Sequence, residues 1–143
     1  LLKTGNVSLD AILSAKIAQA KGAGIAVTVK ANVPDHLLLS DLELSILVGN
    51  LLDNAIEACC AAEGERFLRL FIGMKGKMLY FSMLNSAGAR LSKKGRLFSS
   101  RKEGLHGFGL RRADAILKEH GGWCKYNSED GAFTSEFLVP AIE

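Results

Sequence analysis

Three polar side chains stand at helical spacing inside an apolar run: Asn50, Asn54 and Glu57 of DLELSILVGNLLDNAIEACC, Asp41 to Cys60. At about 100° per residue, positions i, i+4 and i+7 form one line along a helix. Leu44, Leu47, Val48, Leu51, Ala55 and Ala58 share an apolar arc beside that line. Such a line is either a solvated helix face or a set of oxygen ligands. In the second case amides and a carboxylate would meet a metal or a nucleotide from a rigid element above a hydrophobic floor. Periodicity leaves both readings open.

A second stretch with chemical potential is His106-Gly107-Phe108-Gly109-Leu110, which opens a helical pattern running to Gly121-Gly122. Glycines before a helix let backbone N–H groups approach an anion, and the helix N-terminus adds a favourable dipole. The spacing is neither that of a Walker loop nor that of a dinucleotide fingerprint. Upstream, Gly88 to Leu105 carries Arg90, Lys93, Lys94, Arg96, Arg101 and Lys102 against only Glu103. A basic loop of that length suggests either a functional flap or plain solvated chain. Joined to the glycine turn, it makes a polyphosphate the natural ligand. Asn54 could then hold a magnesium ion bridging the phosphates, because magnesium keeps its waters and takes few protein ligands.

The elements that must position these groups are legible from patterning. At 143 residues the chain reads as a single domain over 1–143. A hydrophobic fraction of 48% and a net charge of +3 fit an ordinary globule and give no case for nucleic acid. No uninterrupted apolar run approaches the ~18 residues of a membrane span. The chain begins Leu1-Leu2-Lys3, without an initiator methionine, and is read as a segment of a longer protein. Cys59, Cys60 and Cys124 match neither a disulfide framework nor a zinc site and read as small core residues.

Ser8 and Asp10 offer caps for a first helix carrying Leu9, Ile12, Leu13, Ile17 and Ala20, which Gly22-Ala23-Gly24 ends. Ile25, Val27 and Val29 alternate as a half-buried strand, and Val33-Pro34-Asp35 turns away from it. Ser40 or Asp41 caps the Asp41–Cys60 helix, with Glu43 at its positive end. Phe67 to Ile72 and Leu79 to Met83 form a hairpin about Gly76-Lys77, the return strand ending at Asn85-Ser86-Ala87-Gly88. After the basic loop come a helix with Leu110, Ala113, Ile116 and Leu117 inward, then two strands joined by Asp130-Gly131. This order predicts an α+β two-layer sandwich: a mixed, mostly antiparallel sheet covered on one face by three helices.

Asn50-Leu51-Leu52-Asp53-Asn54-Ala55-Ile56-Glu57-Ala58 resembles the asparagine box of the GHKL superfamily of ATP-binding domains. His106-Gly107-Phe108-Gly109-Leu110 resembles its second glycine box, about fifty residues on, and Phe98-Ser99-Ser100-Arg101-Lys102 the end of its nucleotide lid. Asp10 to Leu13, Lys16, Ala20 and Gly24-Ile25 resemble the run-up in one branch, the peptide-sensing quorum receptors of accessory-gene-regulator type. The resemblance implies a Bergerat-type fold with ATP and Mg2+ as ligands and a lid over about 86–106. It makes Asn54 the magnesium ligand and Asn50 the supporting amide, an amide being a poor general base for hydrolysis. Arg101 or Lys102 would supply charge to the γ-phosphate, while His106, Gly107, Phe108, Gly109 and Leu110 line the nucleotide.

The first glycine box departs from Asp-x-Gly-x-Gly, reading Asn85-Ser86-Ala87-Gly88-Ala89, so Asn85 would accept from the adenine amine without charge. By resemblance the γ-phosphoryl passes to a histidine on an upstream dimerisation domain, then to a response regulator. None of His36, His106 and His120 lies in an acceptor signature. The implied setting is the cytoplasmic part of a homodimer anchored in the bacterial membrane. The competing readings are a degenerate nucleotide-binding or protein-interaction module, and a GHKL ATPase or serine kinase of the anti-sigma-factor kind.

Overall fold

A computed structural model describes residues 2–88 and 109–143. Helix α1 (Val7–Gly22) starts at Asn6 rather than at Ser8 or Asp10. Asn6 Oδ1 accepts from the Leu9 N–H at 3.0 Å, while Nδ2 donates to the carbonyls of Pro34 and Asp35 at 3.1 and 3.0 Å. One side chain therefore caps α1 and ties it to the turn after β1 (Ala26–Ala31). Asp10 is engaged elsewhere, accepting from the N–H and the hydroxyl of Thr4 at 2.6 and 2.7 Å.

Helix α2 (Asp41–Cys60) opens on a full capping box, Ser40 Oγ accepting from Glu43 N–H and Glu43 Oε1 accepting from Ser40 N–H. Its 20 residues run about 30 Å, the width of a small domain. Burial is wider than one arc: Leu52, Ile56 and Cys59 are buried along with Leu44, Leu47, Val48, Leu51 and Ala55. The helix is sandwiched, with α1 on one side and the sheet on the other. Gly49 allows that approach, since a Cβ there would lie 3.3 Å from Ile12 Cδ1. Lys16 Nζ pairs with Asp53 Oδ1 at 2.6 Å across the same contact.

Strands β2 (Phe67–Lys75), β3 (Met78–Ser86), β4 (Trp123–Glu129) and β5 (Ala132–Pro140) join β1 in the order β1-β2-β3-β5-β4. The pair β1–β2 is parallel and the others antiparallel. A parallel pair needs a crossover, and α2 is that connection. Gly76 (φ 61°) and Gly131 (φ 81°) sit in the turns of the two hairpins. The return strand continues through Asn85 and Ser86, which pair with Phe133 and Ala132; polar type does not end a strand whose ladder is still satisfied.

The core lies on one face of the sheet. Phe81 and Phe137 are register partners, each fully buried, with rings stacked at 4.8 Å and 8°. A third helix, α3, covers residues 109–119, with Ala113 and Leu117 buried and Leu110 and Ile116 partly so. Gly122 follows because a Cβ there would stand 2.6 Å from the Leu138 carbonyl oxygen. The architecture is the expected open α+β sandwich, three helices on a five-stranded mixed sheet among the described residues. Of the cysteines, Cys59 is buried and Cys60 is exposed, so only the first is a core residue of α2. Among the described residues no helix is long and apolar enough to cross a membrane.

Candidate functional site

The polar line of α2 divides by depth. Asn54 is 2% exposed, Asn50 is half-buried and Glu57 is exposed, so the deepest member is the middle one. Asn54 stands one helical turn, about 6 Å, beyond Asn50. Gly109, at the start of α3, meets Asn50 directly: a Cβ on it would lie 3.4 Å from Asn50 Cγ and Oδ1. The asparagine pair and the beginning of the glycine-opened helix therefore share one corner of the molecule, with Leu110 packed against the core beside them. Arg101, Lys102, His106, Gly107 and Phe108, and the lid beyond Gly88, lie outside the described residues.

Asn85 comes from the end of β3, on the strand over which α2 packs. It is fully buried, and its Nδ2 donates to the Ser86 carbonyl at 2.9 Å. Ser86 Oγ in turn accepts from Phe67 N–H at 3.0 Å and lies 3.4 Å from Cys59 Sγ, locking the strand end to β2 and to the end of α2. Burial pushes the Cys59 thiol up, so it stays neutral in this contact.

Two polar atoms among these residues have no hydrogen-bond partner among the described residues: Asn50 Nδ2, a donor, and Asn85 Oδ1, an acceptor. A buried group left so costs about 1–3 kcal/mol. Helix α2 thus carries an unmet donor and strand β3 an unmet acceptor, which a polar ligand would satisfy. A third such atom, Ser135 Oγ on β5, escaped the reading of the sequence. Its signal was available: Ser135 breaks the inward alternation of Phe133, Phe137 and Val139.

Across the site, the end of α3 is tied to the start of α2. His120 Nε2 lies 3.0 Å from Glu43 Oε1, the carboxylate that also closes the capping box. The Ser40 backbone N–H, and then His120, hold the Glu43 carboxyl below its ordinary range. A carboxyl lowered on folding adds stability above its unfolded pKa and gives it up as pH falls through the folded value. Asp114 has the opposite sign, being raised by burial. We expect acid to destabilise wild type more than Glu43→Gln below about pH 4.3, as thermal melts across pH 6 to 3 would show. Parallel loss in both proteins would remove Glu43 from the acid limb.

The profile of the GHKL domain family matches residues 39–140. No curated protein matches the chain. Among solved structures, the catalytic domain of the histidine kinase ThkA superposes with a TM-score of 0.72 at 19% identity, covering 96% of this chain and 93% of that one. The blue-light activated histidine kinase of Erythrobacter litoralis EL346 gives 0.69 at 18%, covering 92% of this chain and 40% of that one. Full-length ShkA in complex with AMPPNP gives 0.66 at 20%, covering 94% and 29%. At these identities the likeness is one of fold, and the chain spans less than half of the last two proteins. The match over 39–140 covers both α2 and the start of α3, and on that match the chain belongs to the GHKL domain family.

Proposed function

We propose that this chain is the ATP-binding catalytic domain of a sensor histidine kinase of the accessory-gene-regulator type. Its γ-phosphoryl acceptor would be a histidine on an upstream dimerisation domain, and a response regulator would take the phosphoryl next. The reading places the domain on the cytoplasmic side of a membrane-anchored homodimer. One observation carries the nucleotide part: Asn50 Nδ2 on α2, the helix that presents Asn54 and meets Gly109, and Asn85 Oδ1 on β3 are buried and have no hydrogen-bond partner among the described residues. The family match and the AMPPNP complex of the similar ShkA structure support the same ligand.

Asn85 Oδ1 accepts from the amine of the base. Asn54 would be the residue that holds a magnesium ion, whose chemistry there would be to offset charge on the phosphates. Asn50 donates through Nδ2 and cannot take a proton from water, which favours transfer to an imidazole over hydrolysis. Arg101 or Lys102 offsets the γ-phosphate charge. Every part of this scheme is positioning and electrostatics rather than covalent chemistry.

The test is calorimetry of the chain with magnesium and AMPPNP, followed by phosphoryl transfer from ATP within the full-length protein. Binding with transfer is the expected result. The neutral Asn85 favours a second reading, a module with weak or lost nucleotide affinity, and absence of binding at millimolar AMPPNP would establish it. Steady hydrolysis by the isolated chain would instead support the ATPase reading.

A further inference from the structure

Strand β1 stands at one end of the sheet order and has β2 as its one neighbour. Ala26 N–H donates to the Arg66 carbonyl and Asn32 N–H to the Ile72 carbonyl, so the even-numbered residues of this run bond towards β2. Successive residues of a strand turn their backbone groups to opposite sides. Val27, Val29 and Ala31 therefore direct N–H and C=O away from the sheet. None of these groups has a partner among the described residues. The next position of the same parity, Val33, is met: its N–H donates at 2.9 Å to the carbonyl of Thr4, in the stretch before α1. The open edge is thus confined to Val27–Ala31.

The surface beside this edge carries one sign of charge. Strand alternation turns Thr28 and Lys30 of β1, and Arg69, Phe71 and Lys75 of β2, to the face away from the helices. That face of the two strands holds no carboxylate, and Lys30, Arg69 and Lys75 form no ion pair among the described residues. At the end of β1 a cavity of about 600 Å3 is lined in part by Lys30, Asn32, Pro34, Phe71 and Met74. The Phe71 ring lies across Gly73, where a Cβ would stand 3.0 Å from its Cζ. We propose that β1 is a docking edge for an extended, acidic segment of a partner protein, which adds one strand to the sheet. Main-chain bonds to Val27, Val29 and Ala31 supply affinity, and an acidic side chain beside Lys30 supplies selection. An apolar side chain enters the cavity, and those on the other face cover the half-buried Val27 and Val29. A second copy of the chain fits worse, since pairing two β1 edges would set two basic faces side by side. Neither Asn54 nor Asn85 takes part, so this docking is separable from nucleotide binding.

Fluorescence anisotropy of the chain with labelled peptides, one alternating Glu and Val and one alternating Lys and Val, tests this. The acidic peptide should bind about tenfold more tightly than the basic one. N-methylating every second amide of the acidic peptide should abolish binding in one of the two possible sets only, because one side of an added strand faces β1. Val29→Pro removes an outward N–H and no bond to β2, and should weaken the acidic peptide about tenfold. Lys30→Glu should reverse the charge preference. Amide exchange of the wild type needs no variant to fold: Val27, Val29 and Ala31 should gain protection with the acidic peptide, and Thr28 and Lys30 should not change. Equal effects of the two methylated sets, equal affinity for the acidic and basic peptides, or no binding of either at millimolar concentration would overturn the docking edge. Self-association of the chain that protects Val27, Val29 and Ala31 would overturn the acidic partner in favour of a second copy.

Discussion

Asn54→Ala should bind magnesium–AMPPNP about 10- to 100-fold more weakly than wild type, equivalent to ~1.5–3 kcal/mol. The residue is 2% exposed in the middle of α2, so its amide is held by the helix and has little freedom to be replaced by a neighbour. The diagnostic part is the dependence on magnesium. Wild-type affinity should rise with magnesium concentration, and that rise should vanish in the variant. Asn54→Asp, which returns an oxygen at the same place, should recover it. A merely structural amide would act differently: the melting temperature would fall, and affinities with and without magnesium would change together. That pattern would remove Asn54 as the metal ligand.

The second large effect concerns stability. Phe137→Ala should lose about 3–5 kcal/mol, by the transfer term and the cavity left behind. A domain of ordinary stability holds only ~5–15 kcal/mol. Phe137 and Phe81 are fully buried, stacked at 4.8 Å, and placed on adjacent central strands of the sheet. Phe71→Ala is the control, on the opposite face of the sheet at 39% exposure, where the loss should be much smaller. Denaturant unfolding with slopes compared across the three proteins measures both. A loss below about 1 kcal/mol in Phe137→Ala would contradict close packing at this position.

Much of the fold was legible because its signals are local. A cap at Ser40 or Asp41 with Glu43 in the first turn was readable locally, and the structure selects Ser40, which closes a capping box with Glu43 within one turn. Alternation in Leu79, Phe81 and Met83 specified which side of β3 is buried, because strand periodicity maps directly onto the two faces. The start of α1 was misread for the complementary reason. Asn6 serves as the cap because its Nδ2 also reaches Pro34 and Asp35, residues 28 and 29 positions away, and no local pattern encodes that reward. The pairing of Glu43 with His120 is likewise invisible in the chain, being a contact between residues 77 apart.

The candidate site divides along the same line. The sequence by itself determined residue types and local spacing: two asparagines one turn apart on a long helix, and a glycine-opened helix about fifty residues later. Local periodicity is enough for that, because a helix places i and i+4 together whatever surrounds it. Only the tertiary structure decided depth and company. It buried Asn54, left Glu57 exposed, and set Gly109 against Asn50. It turned the Asn85 amide so that its oxygen is the group without a partner among the described residues, and brought Ser135 onto the same face one diagonal away. Burial and register are properties of how elements pack, and an unmet hydrogen bond exists only once packing has removed water.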